Sequence, residues 1–198
     1  MANANSISYV NNLSVTPLPT TEAIVLFPGH TADTTRANSL LSIRPDLAQQ
    51  GSFDGRPFRL TLQGNATASA SENFTFAVYL NNATVPNTNL TTFTNDIKVI
   101  NTTTMATGAA GTLAFSISAF CLWNSTSATA GRFAFYPEAG GLKSISGTSS
   151  VSVATAVIGN SGTAITSTLP LVQFYVTALT GTADATSTCN LSLQIDQI

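Results

Sequence analysis

The sequence predicts an all-β protein, an antiparallel sandwich of two sheets preceded by an extended N-terminal arm. Three observations support this prediction. After residue 52, apolar and polar residues alternate with a period of two along several segments, which is the pattern of strands with one buried and one solvated face. The segments between them are rich in Gly, Asn, Ser and Thr, as turns and loops require. No helical periodicity of useful length occurs in this part of the chain.

Residues 1–52 show no sustained period and are predicted to form the arm. Pro17 and Pro19 favour an extended path through it. The segment has too many apolar residues to be a free tail, so we expect it to lie on a surface. Short strands are predicted within it at 7–10, 23–27 and 40–43.

Residues 53–198 are predicted to form the sandwich. Along the longest alternating segment, one face carries large apolar residues from Leu113 and Phe115 to Trp123. The number of strands, joined by loops rather than tight hairpins, favours a jelly roll. An immunoglobulin-like sandwich is the alternative, but its usual order of Cys, Trp and Cys is missing because Trp123 follows Cys121 by only two residues. The predicted strands are 57–63, 73–80, 96–100, 112–124, 132–136, 150–158, 170–179 and 189–195.

The composition argues against several classes of function. Asp, Glu, Lys and Arg make up 8% of the 198 residues, against roughly a quarter in an average soluble domain. The chain has instead 31 Thr, 21 Ser and 16 Asn, so the surface is expected to consist of neutral hydroxyl and amide groups. A net charge of −2, with seven scattered basic residues, gives no field that would attract nucleic acid or an anionic membrane. The sequence therefore predicts a binding or structural protein.

The N-terminus has no basic segment followed by an apolar one, and no apolar segment approaches the length of a membrane span. The protein is expected to stay in the cytoplasm where it is made. In that reducing compartment Cys121 and Cys189 are predicted to be two buried thiols, with a disulfide between them as the alternative.

No catalytic, cofactor-binding or metal-binding residue is predicted. A triad of His30, Asp33 and a serine would need a strand-to-helix elbow around the serine, and no such motif is present. The two Cys and one His lack the spacing of a zinc site. The nine acidic residues are widely spaced, although a fold can bring two distant carboxylates together, and a calcium site in a loop stays open. We expect no enzymatic activity.

The aromatic residues have two interpretations. Most are predicted to pack in the core, including the phenylalanines that alternate along the strands. The alternative is a sugar-stacking platform on a lectin-like sandwich, formed by Trp123, Tyr136, Tyr79 and Tyr175.

Three segments carry a resemblance to a known group of proteins: FDGRPFRLTLQGNATASASENFTFAVYLNN (53–82), LWNSTS (122–127) and FYVTALTGTADATSTCNLSLQIDQI (174–198). In pattern and composition, about residues 53–198 resemble tailed-phage virion proteins. These are small jelly-roll-like structural proteins, several of which decorate and cement capsids. The resemblance carries over no functional residue.

The resemblance implies a non-enzymatic protein that is made in the host cytoplasm, binds the capsid surface and stabilises the shell. The implied partners are the major capsid protein and copies of the chain itself, as a dimer or trimer. Residues 1–50 are expected to dock on a neighbouring copy or on the capsid protein. Two alternatives stay open: a tail, baseplate or fibre-tip module that binds a receptor, and a carbohydrate-binding sandwich.

Overall fold

The computed structural model describes residues 8–15, 19–25, 41–43, 57–81, 97–102, 104–107, 110–127, 130–137, 141–146, 155–156, 165–166 and 172–197. Every regular element in these ranges is a β-strand, and they contain no helix long and apolar enough to cross a membrane. The strands are β1 Ser8–Val15, β2 Ala23–Ile24, β3 Leu41–Ile43, β4 Pro57–Ala68, β5 Asn73–Asn81, β6 Ile97–Thr102, β7 Met105–Ala106, β8 Gly111–Ser127, β9 Ala130–Pro137, β10 Gly141–Ser146, β11 Thr155–Ala156, β12 Ile165–Thr166, β13 Val172–Thr180 and β14 Thr188–Gln197.

The strands form two seven-stranded sheets in which every pairing is antiparallel. Sheet A has the order β1-β14-β4-β8-β9-β12, with β10 also paired to β8. Sheet B has the order β11-β6-β5-β13-β2, with β3 also paired to β13 and β7 to β5. The prediction of an all-β antiparallel sandwich of two sheets is confirmed.

The alternation in the sequence determines which face of each strand is buried. On β4, Phe58, Leu60 and Leu62 are fully buried while Arg59 and Gln63 are exposed. Burial of a large apolar side chain contributes about 1.5–3 kcal/mol, so this segment is most stable as a strand with its odd-numbered residues outward.

Aromatic contacts join the two sheets across the core. Phe115 of sheet A stacks on Phe76 of sheet B with ring centroids 5.1 Å apart. Phe58 of sheet A meets Phe174 of sheet B edge to face at 6.4 Å. These rings belong to one continuous buried cluster that draws on both sheets, as predicted for the phenylalanines on the alternating segments.

The strands of residues 1–52 are part of the sandwich. β1 pairs with β14 along its whole length, from Ser8 opposite Asp196 to Val15 opposite Cys189. β2 and β3 pair with β13 in sheet B. The structure therefore corrects the expectation of an arm on another molecule for these strands, because their ladder hydrogen bonds are made within the chain. Residues 1–7, 16–18, 26–40 and 44–52 of the predicted arm lie outside the described residues.

Three connections cross from one sheet to the other at the same end of the sandwich, which we call the crossover end. They are residues 69–72 between β4 and β5, the segment around Thr107 between β7 and β8, and residues 181–187 between β13 and β14. Backbone hydrogen bonds join them: the Thr107 N–H donates to the Glu72 carbonyl at 2.9 Å, and the Gly181 N–H to the Asn73 carbonyl at 3.0 Å.

Candidate functional site

Glu72 lies at the centre of the crossover end, and only 4% of its surface is exposed. Its Oε1 accepts hydrogen bonds from the backbone N–H groups of Asn73 at 2.8 Å and Thr182 at 3.1 Å. Burial opposes ionisation of this carboxyl. The hydrogen bonds from Asn73, Thr182 and Thr180 together outweigh burial, so the pKa of Glu72 is lowered from its ordinary value. Through Oε1, this buried carboxylate joins the β4–β5 connection to the β13–β14 connection.

Asp184 organises the outer part of the same end. Oδ1 accepts from the hydroxyl and the N–H of Thr186 at 2.7 and 2.8 Å, and Oδ2 accepts from the N–H and the hydroxyl of Ser69 at 3.0 and 3.1 Å. The Thr186 hydroxyl and the Ser69 N–H are the main reasons that the pKa of Asp184 is well below its usual value. Both carboxylates of the crossover end are therefore anions held by neutral donors of their own chain.

A third carboxylate, Glu22, lies on the outer face of sheet B. Its Oε1 accepts from the Thr177 hydroxyl at 2.7 Å and from the Tyr79 hydroxyl at 2.9 Å. Lys98 approaches the same oxygen at 3.2 Å and lies 5.0 Å from the centroid of the Tyr79 ring. Glu22 comes from the segment before β2, so these bonds tie that segment across β13 and β5 to β6.

Tyr79 and Tyr175 are register partners on β5 and β13, and their rings stack at 5.4 Å with an angle of 4°. Tyr79 is 5% exposed and Tyr175 is fully buried. The interpretation of these two residues as an exposed sugar-stacking platform is therefore wrong, because their ring faces are covered. The side chains of Trp123 and Tyr136, the other members of that platform, lie outside the described part of the structure.

The outer face of sheet A has a different character. Where the side chains of β4, β8 and β14 are described (57–68, 111–122 and 188–196), the residues that alternate with the core positions are exposed or half-buried. Most of them carry a hydroxyl or an amide: Thr61, Gln63, Asn65, Thr67, Thr112, Ser116, Ser118, Thr188, Asn190, Ser192 and Gln194.

Some of these side chains bond to each other across the strands, such as Thr67 to Thr112 at 2.9 Å. The charged residues of this face on the three strands are Arg59 and Asp196, which are register partners. Asp196 also accepts from the Gln194 amide at 2.8 and 2.9 Å. The described outer face of these strands thus consists mostly of neutral groups that both donate and accept hydrogen bonds. Its other members include Arg59, Asp196 and the apolar Ala114, Phe120 and Leu122.

The structure brings no catalytic or metal-binding group together within the ranges it describes. Those ranges contain no cluster of three or more His, Cys, Asp or Glu side chains with metal-ligand geometry. His30 and Asp33 lie outside them. Each carboxylate whose side chain is described, namely Glu22, Glu72, Asp184 and Asp196, accepts a hydrogen bond from the chain itself.

The two cysteines are buried in the core and are not joined by a disulfide, which agrees with the expectation of two buried thiols. Cys121 lies opposite Phe58 near the start of β4, and Cys189 lies opposite Ala66 near its end.

No family model matches the chain, and no curated protein matches it.

Sequence reasoning missed the roles of Glu72 and Asp184. Both are isolated acidic residues in neutral loops, and each bonds one loop that is more than 100 residues away in the sequence. The only local signal is Asp184 with Thr186 two residues later, which is the pattern of an Asp side chain that bonds its own turn.

Proposed function

We propose that this chain is a non-enzymatic structural protein of a tailed-phage virion, which decorates and cements the capsid through protein–protein contacts. The observation that carries the proposal is the mostly neutral outer face that β4, β8 and β14 form in sheet A. Hydroxyl and amide groups can pair with the same groups on a neighbouring subunit, and many copies can crowd on a shell without like-charge repulsion.

The state of the acidic residues supports a role without catalysis. General acid–base catalysis needs a carboxyl that can exchange a proton with a substrate. The lowered pKa values of Glu72 and Asp184 keep both residues ionised at neutral pH, and their oxygens are bonded to backbone and hydroxyl donors. Such groups stabilise loops.

The strand order supports a jelly roll as the finer description of the sandwich. β1, β14, β4 and β8 are neighbours in sheet A, and β2, β13, β5 and β6 are neighbours in sheet B. In chain order the eight strands of this set lie in sheets A, B, A, B, B, A, B and A, and the two sheet orders are those of two interlocked Greek keys of eight strands. The jelly roll is a fold that viral capsid and lectin domains share, so it fits the proposal but does not select it.

The test is reconstitution on capsids that lack the protein. Purified chain is added to such capsids, and occupancy is measured by sedimentation and by electron microscopy, which also shows whether the copies lie on the head or the tail. The proposal expects many copies on the head and a higher temperature of capsid disruption, since a ligand that binds only the intact shell stabilises it by mass action. A few copies at the tail, or none on either, would overturn it.

A pair of variants tests the contribution of the outer face of sheet A. Gln63→Glu places one charge in the middle of this face with almost no change of shape, and Ser71→Glu places the same charge on an exposed residue of the crossover end. We expect Gln63→Glu to weaken capsid binding by roughly tenfold, because an unpaired charge is buried on contact, which costs about 1–3 kcal/mol. Ser71→Glu should bind as the parent chain does. Equal effects of the two variants would show that this face is not the contact.

A further inference from the structure

The edges of the two sheets are protected to different degrees. An open edge presents unpaired backbone N–H and C=O groups. Proteins prevent its pairing with another chain by short edge strands, charges, prolines or bulges. β11, β12 and β2 have two residues each, and β3 has three. β10, with six residues, contains Lys143 and has a register shift between Ser144 and Ser146.

β1 is an edge strand with none of these protections. It runs for eight residues, Ser8–Val15, with the sequence SYVNNLSV. The strand contains no charged residue, no proline and no glycine. Its register against β14 is continuous from Ser8 to Val15, without a bulge.

The side of β1 that faces away from β14 therefore carries hydrogen-bonding groups. In an antiparallel ladder, successive residues direct their N–H and C=O alternately toward the partner strand and away from it. Half of the eight residues of β1 thus point these groups outward, and no strand among the described residues pairs with that side.

We propose that the outer edge of β1 is a self-association surface, on which β1 of one copy pairs antiparallel with β1 of a second copy. An antiparallel pair of identical strands is related by a two-fold axis, so one surface serves both partners and the contact closes as a dimer. The strand is uncharged, and the only charged residues on the described outer face of β14, β4 and β8 are Asp196 and Arg59, which have opposite signs and are register partners, so little like-charge repulsion opposes the approach of a copy.

This dimer would join the two A sheets into one continuous sheet and extend their neutral outer faces side by side. The inference rests on the proposed function, in which copies of the chain lie next to each other, and it names the surface through which they do so. It can fail separately, because a capsid can arrange copies that do not pair in solution.

Two proline variants of adjacent residues test the proposal. In an antiparallel strand, one of the two backbone N–H groups of Asn11 and Asn12 points to β14 and the other points to the open edge. Proline at the inward position removes a ladder hydrogen bond and lowers the Tm, whereas proline at the outward position is tolerated on an edge strand. Each of the two proline variants is therefore the matched control for the other.

The measurement is the dimer dissociation constant by analytical ultracentrifugation, with the Tm of each variant. We expect the full chain to be a dimer. The variant that keeps the parental Tm should raise the dissociation constant by on the order of tenfold or more, since the two-fold axis makes each lost bond occur twice.

Three outcomes would overturn the proposal: a parent chain that stays monomeric at all concentrations, a dimer that persists in the stable proline variant, and a dimer that is unaffected by Asn12→Lys if both proline variants are less stable. Reconstitution on capsids shows whether a failure concerns the β1 pairing or the proposed capsid role. A monomer that still decorates the head overturns only the β1 pairing, whereas a β1 dimer that does not bind capsids overturns only the capsid role.

Discussion

The backbone N–H of Thr182 donates a hydrogen bond to Oε1 of Glu72 at 3.1 Å, across 110 residues of sequence. The same oxygen accepts from the N–H of Asn73, whose carbonyl accepts from Gly181. One buried side chain thus joins the β4–β5 and β13–β14 connections, which are the points where the chain passes between the sheets. In a protein with so few charged residues, this carboxylate has a structural role: it holds the two connections together.

Replacing Glu72 should destabilise the fold. Glu72→Ala leaves the N–H groups of Asn73 and Thr182 without their acceptor, and we expect the free energy of unfolding to fall by about 2–3 kcal/mol. Glu72→Gln retains an acceptor oxygen but loses the charge, and it should lose about 1 kcal/mol. Urea unfolding at neutral pH measures both. Equal stability of Glu72→Ala and the parent chain would contradict the role of the carboxylate.

The same carboxylate makes stability depend on pH in a defined direction. The pKa of Glu72 in the folded chain is lowered from its ordinary value of 4.5, so the unfolded chain binds the proton more readily. The ionised Glu72 therefore contributes fully to the free energy of unfolding above about pH 4.5. This contribution is lost as the pH falls from there through the lower pKa that Glu72 has in the folded chain. The stability difference between the parent chain and Glu72→Gln should therefore shrink on acidification below about pH 4.5. A difference that is constant down to pH 3 would contradict this prediction.

Gly64 is required by a close approach of two backbones in sheet A. A Cβ at this position would overlap the carbonyl oxygen of Asn190 and would lie 2.9 Å from Cα of Leu191. Both obstacles are backbone atoms of β14, a central strand, and cannot move without breaking the ladder. We expect Gly64→Ala to lower the free energy of unfolding by about 3 kcal/mol, at the upper end for an overpacked site.

Gly181→Ala is the control for Gly64→Ala. There the nearest atom to an added Cβ is Oε1 of Glu72 at 3.3 Å, so a shift of a few tenths of an ångström (on the order of 0.1–0.3 Å) removes the contact. This variant should lose about 1 kcal/mol or less. Thermal unfolding of both variants checks the order, and a larger loss for Gly181→Ala would contradict it.

The strands could be predicted from the sequence wherever residues of two kinds alternate along a long segment. β4, β5, β8, β13 and β14 alternate over many residues, and each lies where the pattern predicts it. β10 was missed because the paired glycines at its start favour a turn, and its pairing with β8 depends on a partner far away in the sequence. β1 was predicted as a short strand of an arm, since its own sequence contains nothing that specifies β14 as its partner.

The tertiary role of isolated polar residues could not be predicted. Glu22, Glu72 and Asp184 give no sequence pattern for their long-range bonds, because the distant donors lie on strands and loops that only the fold brings near. The neutral outer face of sheet A, by contrast, follows from composition and alternation together: polar residues on the outward positions of β4 and β14 are almost all uncharged in a chain with 8% charged residues.

The hydrogen bonds from hydroxyl groups to Glu22 should contribute more to the free energy of unfolding than its ion pair with Lys98. Glu22 and Lys98 side chains are each 28% exposed, so solvent screens the pair and Lys98→Met should cost less than about 1 kcal/mol. Glu22→Ala removes the acceptor of the Tyr79 and Thr177 hydroxyls, and we expect a loss of about 1–2 kcal/mol.

Two double-mutant cycles separate the contributions around Glu22. The cycle of Glu22→Ala with Tyr79→Phe should give a larger coupling energy than the cycle with Lys98→Met, because the phenol is almost buried. High salt should reduce only the coupling with Lys98. A coupling with Lys98 that exceeds the one with Tyr79 would contradict this order.

The register of sheet A keeps the two cysteines apart and predicts how they react. Cys121 and Cys189 flank β4 at Phe58 and Ala66, eight residues apart, or about 26 Å along a strand. A disulfide needs Cα atoms within about 7 Å, so air oxidation of the folded monomer should leave both residues as thiols.

Because both thiols are buried, an alkylating reagent should modify them only when sheet A opens. Intact mass should show no alkylation of the native chain and two additions in denaturant, while an exposed Ser71→Cys control reacts at once. The slow labelling rate then measures opening of the fold, and Glu72→Ala should increase it by the factor that its lost stability implies, about tenfold for each 1.4 kcal/mol. Rapid labelling of the native parent chain would contradict the buried positions of these thiols and the strand register that places them.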